Sequence, residues 1–199
     1  MLSLAAFAAA ASITPGPNNL MLLASGANFG LRRTLPHMIG VTLGHMAMIL
    51  ILGAGLAEAF ALWPRLQLLL KIAFAGFMLP LAWRIANAAP PPGHGRQATG
   101  QPLTLLQAAL FQWVNPKAWA MALGALAVYA PAGSGMAGVS IVAGTFTLVN
   151  LPSVTCWVVI GTQIRGLLDV PWKRRLFNGM AALLLLGSLW PILAGAPPN

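Results

Sequence analysis

Acidic residues are almost absent from this chain: Glu58 and Asp169 are the only two, against eleven lysines and arginines. Charge of either sign makes up 7% of the residues, where soluble domains carry roughly 25%. Paired carboxylates for acid–base work are therefore excluded. Cysteine is scarcer still, since Cys156 stands alone; it can form neither an internal disulfide nor a thiol-redox pair, and is expected as a small apolar filler in a helix. No Gly-x-Ser-x-Gly elbow, His-Glu-x-x-His or Ser-x-x-Lys occurs, so neither a membrane protease nor a metal enzyme has its parts, and no cofactor is implied. Nucleotide-binding motifs are missing too, which argues against direct use of ATP.

What fills the space is hydrocarbon. Apolar residues reach 58% and mean hydropathy is +0.79, and the run from Leu2 to Gly26 contains no charge at all. Segments of about 20 apolar residues at repeated intervals mean spanning helices in a lipid bilayer, because barrel strands are shorter and alternate. The N-terminal run has no basic region before it and continues past Ala11, so it is expected as a retained first helix rather than a leader. The net charge of +9 would suggest nucleic acid in a soluble protein. Here the basic residues sit in short connections, where they set orientation in the membrane instead.

Six segments follow: about 2–26, 36–57, 66–87, 103–128, 137–162 and 176–193. The stretch 28–34, with Arg32 and Arg33, is expected as a basic loop, and Pro36 as the first turn of the second helix. Pro80, and Pro152 beside Asn150, are expected to kink the third and fifth helices. Residues 89–102 form a Pro/Gly-rich cytoplasmic linker that separates a first three-helix repeat, 1–88, from a second, 103–199. Arg32, Arg33, Arg84, Arg96, Arg165, Lys173, Arg174 and Arg175, eight of the eleven basic residues, fall on one side. The positive-inside rule makes that side cytoplasmic and puts both termini outside. Three spans per half invert the second half relative to the first. The chain is thus expected as an all-α membrane protein with six transmembrane helices in two inverted-topology repeats, the first helix of each half being broken.

The breaks are chemically plain. Pro15 and Pro17 deprive the carbonyls of Ala11 and Ile13 of helical donors, Gly16 loosens the chain, and Asn18 and Asn19 add polar side chains. Asn115-Pro116-Lys117 interrupts the fourth segment at the corresponding point. Paired interruptions in inverted halves point to a transport site near the bilayer midplane.

On these residues the chain resembles the LysE/RhtB family of bacterial amino-acid exporters. The family's Pro-Gly-Pro-Asn/Asp motif stands here as Pro15-Gly16-Pro17-Asn18, followed by Gly30-Leu31-Arg32-Arg33 where the family has Gly-x-x-x-Gly. Its Asn-Pro-Lys-Ala motif stands as Asn115-Pro116-Lys117-Ala118. Two departures fall on expected pocket lining: Phe74-Ala75-Gly76-Phe77-Met78 replaces Gly-Ala-x-Tyr-Leu, and Trp119-Ala120-Met121 replaces a phenylalanine pair. The resemblance implies an inner-membrane secondary transporter, driven by the proton motive force. It would export a small amino acid or derivative of the cysteine/O-acetylserine or homoserine/threonine type.

The expected substrate-binding set is Pro15, Gly16, Pro17, Asn18, Asn19, Asn115, Pro116 and Lys117. The helix restarting after Asn18 or Asn19 suits a carboxylate; the freed carbonyls and the asparagine oxygens suit an ammonium. Lys117 lies about 21 Å along its helix at 1.5 Å per residue, too deep to snorkel. It either serves the substrate or is a structural lysine bonded to freed carbonyls, that of Gln112 included. For proton coupling the candidates are His45 and Lys117, with a carbonyl-bonded core role for His45 as the other reading. His37 and His94 are expected at the surface. Gly40 and Gly44 give the second helix a small-residue stripe that suits packing within one chain or in a homo-oligomer. A non-transporting structural or assembly protein of the membrane is the alternative, but it leaves both breaks and Lys117 without a purpose.

Overall fold

Helix α1, Leu2–Ile13, stops where its donors stop. Thr14 precedes a proline and takes an extended backbone (φ −59°, ψ 136°), because the proline ring disfavours the helical region for its predecessor. Helix α2, Pro17–Ile51, begins with proline at its first position, where the missing N–H costs nothing. In the computed structural model, which describes residues 1–56, 64–87, 101–130 and 133–187, all regular structure is helical. Glu58, His94, linker residues 89–100 and Trp190-Pro191 lie outside the described residues.

A π-helical turn, Leu52–Leu56, extends α2. Then come α3 (Pro64–Ala86), α4 (Leu105–Val114), α5 (Pro116–Tyr129), α6 (Gly135–Ile164), a 3₁₀ turn (Arg165–Asp169) and α7 (Pro171–Gly187). Helix α4 starts on a capping box: Gln107 N–H donates to Thr104 Oγ1 at 3.2 Å and Thr104 N–H to Gln107 Oε1 at 3.0 Å. Pro80 and Pro152 lie inside α3 and α6.

Among the described residues, two stretches are long and apolar enough to cross a membrane, Pro17–Gly55 and Gly135–Ile164. The first, 39 residues, would be about 58 Å of straight helix, nearly twice a hydrocarbon core of ~30 Å. It is instead a hairpin. Gly30 adopts φ 77°, ψ 171°, a conformation open essentially to glycine alone, and divides α2 into arms 17–29 and 31–51. The Thr34 hydroxyl donates to the Gly30 carbonyl at 2.8 Å and accepts from Ser25 at 2.9 Å, fastening the arms together.

This corrects the expected loop at 28–34: one residue makes the reversal, and Arg32 and Arg33 are helical. Pro36 consequently sits inside the second arm rather than at its start. His37, expected at the surface, lies well within that arm and is buried, with neither ring nitrogen partnered. Helix α7 begins at Pro171, so Lys173 is helical rather than in a loop, its ammonium 5.8 Å from the Trp172 ring centroid. Cys156 is in a helix as expected but faces outward, exposed, instead of filling the interior.

Glycines set the closest contacts. A Cβ on Gly40 would come within 2.3 Å of the Leu105 carbonyl oxygen, and one on Gly44 within 2.5 Å of Ala109 Cα, so the second arm of α2 lies backbone-to-backbone on α4. Gly26 and Gly161 face the carbonyls of Val158 and Leu23 in the same manner, joining the first arm to α6. The stripe predicted on the second helix is thus spent inside the chain.

Three apolar clusters surround this frame. Leu4, Ala8, Met48, Ala122, Ala125 and Phe146 belong to one; Leu22, Met38, Val41, Ala108, Val154 and Val158 to another. The third joins Met78 and Ala82 of α3 to Leu20, Phe111 and Ala182 of α7. Membership of the first two clusters fixes directions: α1 and α6 run the same way, opposite to the second arm of α2, and α4 and α5 follow that arm. The level between those clusters holds both chain breaks. Outside them, Leu2, Leu148, Trp83, Leu183 and Leu106 are exposed, a surface suited to hydrocarbon rather than water.

Candidate functional site

Four helix ends meet at the breaks. The carboxyl end of α1 faces the start of α5, and the start of α2 faces the carboxyl end of α4. Asn18 Nδ2 donates to Gln112 Oε1 at 2.8 Å while Gln112 Nε2 donates back to Asn18 Oδ1 at 3.3 Å, and also to the Ala108 carbonyl at 2.8 Å. On the opposite side of the crossing, the Lys117 ammonium donates to the Thr14 carbonyl.

The freed carbonyls of α1 are taken by side chains from elsewhere. Asn19 Nδ2 donates to the carbonyls of Ser12 and Thr14, each at 2.8 Å. Trp157 Nε1 of α6 donates to that of Ile13 at 3.2 Å, so of the two carbonyls expected to be free, Ile13 has a partner. The Gln112 carbonyl, offered above as a partner for Lys117, receives the Asn115 N–H at 3.2 Å. Lys117 instead reaches across to the other break.

The two restarting helices differ. Asn115 caps α5 with its own side chain, Oδ1 accepting from Lys117 N–H at 3.1 Å. Gly16 precedes α2 and has no side chain to offer, so the N–H groups of Asn18 and Asn19 lack helical acceptors. That helix restarts at Pro17, two or three residues earlier than the expected start after Asn18 or Asn19. Over Gly16 lies the stem of Lys117: a Cβ there would fall 2.7 Å from Lys117 Cδ.

A partly open cavity lies among these groups, with about 360 Å³ of atom-free space counting the solvent at its mouth. Gly16, Asn18, Asn19, Asn115, Lys117 and His45 all line it, as does Asn150, while Pro15, Pro17 and Pro116 are not in the lining and act by breaking the helices. His45 Nε2 stands 3.3 Å from the Ala118 carbonyl; an oxygen that only accepts makes this nitrogen the protonated one. Its ring meets Phe146 edge-on at 5.3 Å. Asn150 Nδ2 donates to Thr42 Oγ1 at 3.4 Å, tying α6 to α2.

Sequence reasoning did not find Gln112, Ser12 or Val41 among the lining residues, whereas Met121 belongs to a segment expected there. Gln112 is fully buried, and only its carbonyl was considered. Ser12 is buried with a hydroxyl that has no partner. Met121 lines the cavity from the segment that replaces the family's phenylalanines; the other replacement, Phe77, stacks on Phe111 at 4.7 Å and is not part of the lining. An uncharged polar side chain in a hydrocarbon-length run was the available signal for Gln112 and Ser12.

Residues 9–188 match the family model described as LysE type translocator. The chain belongs to the LysE type translocators. Members of this family are membrane transporters rather than enzymes, and membership places the chain in the cytoplasmic membrane. It is 31% identical over 180 residues to a cysteine/O-acetylserine efflux protein of Escherichia coli O139:H28, covering 88% of each chain. The same identity and coverage hold for a cysteine/O-acetylserine efflux protein of Shigella flexneri, and one from Escherichia coli O1:K1 is 30% identical over the same share. No solved structure matches. Both motif segments of this LysE type translocator, Pro15 to Asn18 and Asn115 to Ala118, fall within the matched residues.

Proposed function

We propose that this LysE type translocator exports a small zwitterionic amino acid or derivative, of the cysteine/O-acetylserine or homoserine/threonine type, by alternating access. Six spans in two inverted three-helix halves carry it, 1–88 and 103–199, joined by the linker 89–102, with both termini outside the cytoplasm. The broken first span is α1 with the first arm of α2; the broken fourth is α4 with α5. Opposed directions of these two spans support the inverted arrangement.

One observation carries the reading. Inside the cavity an ammonium, that of Lys117, stands beside an uncapped helix start at Pro17, and no acidic residue lines the cavity among the described residues. A cation and a positive dipole end without a resident anion need one from outside. The carboxylate of an amino acid, held by Lys117 and the N–H groups of Asn18 and Asn19, meets that need. Its ammonium has the carbonyls at the end of α1 and the side-chain oxygens of Asn18 and Asn115. The orphan hydroxyl of Ser12 and the thioether of Met121 face the substrate's side chain. His45 and Lys117 are the groups able to move a coupling proton.

The test is export of a panel of radiolabelled amino acids from loaded vesicles. Lys117→Ala and Asn18→Ala should each lower export of the preferred substrate at least tenfold, the loss expected of charge-assisted hydrogen bonds worth about 1.5–3 kcal/mol. Unchanged export in both variants would remove the site.

A further inference from the structure

The Lys117 ammonium is bonded across the crossing, to the other chain break. Its acceptor is a backbone carbonyl at the carboxyl end of α1, left in the open because Thr14 turns extended before Pro15. Asn19 Nδ2 shares that carbonyl, holding it in place from the side. Gly16 leaves room for the lysine stem to cross from α5, where any larger residue would displace it. An ionisable residue inside a span pairs with another such residue or with backbone carbonyls and marks a substrate pathway; among the described residues that line the cavity none is acidic.

We propose that Lys117 is a tethered stand-in for the substrate's ammonium. In the empty protein its Nζ bonds the Thr14 carbonyl. An arriving amino acid places its own ammonium on that carbonyl, and Lys117 swings to the arriving carboxylate. The inference rests on the transport reading above and deepens it. In an alternating-access cycle the substrate ties α1 to α5 across the crossing. After release, the lysine restores that tie, so the empty carrier closes and returns without a second substrate. Net export, rather than obligatory exchange, follows.

Two measurements test it. Lys117→Ala removes the atoms of an n-propylammonium ion, so that ion should raise the melting temperature of the purified variant saturably. It should leave the wild type unchanged, and 1-propanol should have no effect on either. No rise in the variant, or an equal rise with 1-propanol, overturns the proposal. The second measurement uses wild type alone. Efflux from proteoliposomes into plain buffer should run as fast as efflux into buffer containing the same amino acid. An acceleration of roughly tenfold by the external amino acid, the size of one missing charge-assisted bond, means the empty return is slow and overturns the stand-in while leaving transport intact. Absence of export for every member of the panel removes the transport reading, and the stand-in with it.

Discussion

Asn19 and Ser12 show how differently polar residues are used in the same wall. Asn19 donates two hydrogen bonds to backbone that the prolines left open, so it repairs the break that makes the cavity. Ser12 repairs nothing, because its buried hydroxyl has no partner. Burying such a group costs about 1–3 kcal/mol, and Ser12→Ala is therefore expected to leave the melting temperature equal or higher. The same variant should lower affinity for the exported substrate several-fold, read as an increased half-saturation concentration for export. A loss of stability with unchanged affinity would assign Ser12 to the fold instead. Much of this wall was legible in the sequence, because a proline removes its donor whatever surrounds it, and an asparagine next to it has work at hand. Gln112 was not, since its partner Asn18 lies in the other half of the chain and nothing local announces the pair. His37 was misplaced for a related reason: its nearness to Arg32 and Arg33 suggested a loop, but in a helix that begins at residue 31 it already points inward.

At the scale of elements, the fold rests on a few backbone positions that no side chain can fill. Gly30→Ala puts a Cβ on a conformation reserved for glycine, at a cost of about 1–3 kcal/mol, with nothing within 4 Å to clash. Gly40→Ala keeps an ordinary helical backbone but drives its Cβ into the Leu105 carbonyl, forcing α2 and α4 apart at a comparable cost, about 1–3 kcal/mol. Both should lower the melting temperature in detergent, and Ala108→Gly should not rescue the second, because the Leu105 carbonyl oxygen stays in the way. The sequence marked the apolar segments but not the hairpin, because Asn28, Arg32 and Arg33 have loop chemistry while remaining helical. At a membrane boundary a helix can carry such residues with their charges turned to water, so polarity does not mark where the helix ends.

For the whole molecule, charge distribution is what orients the protein. With Cys156 replaced, which its exposed position makes harmless to packing, single cysteines can be introduced in turn. One at Ser3 should react with a membrane-impermeant thiol reagent from outside the cell, and one at Arg32 only after the membrane is opened; reaction of both from the same side would overturn the arrangement. The two breaks were readable because each is written in a proline beside an asparagine, and the inverted halves proposed above rest on them. Depth of burial and partners across the halves were not readable, since they depend on how glycine faces mesh.

Those glycine contacts make the molecule uneven in stiffness. On one side of the cavity the first arm of α2 and helix α4 are seated on backbone, through Gly26, Gly161, Gly40 and Gly44, with nothing longer than the methyls of Ala108 and Ala109 at the α4 contacts. On the other side α1 and α5 are seated on the cluster that holds Leu4, Met48, Leu52 and Phe146, whose longer side chains can change rotamer. Deformation concentrates where a structure is soft. The short helices α1 and α5 should thus swing while the opposite side holds its shape, and their amides should exchange with deuterium faster than those of α4. In the orientation proposed above, with both termini outside, the yielding face is the exit.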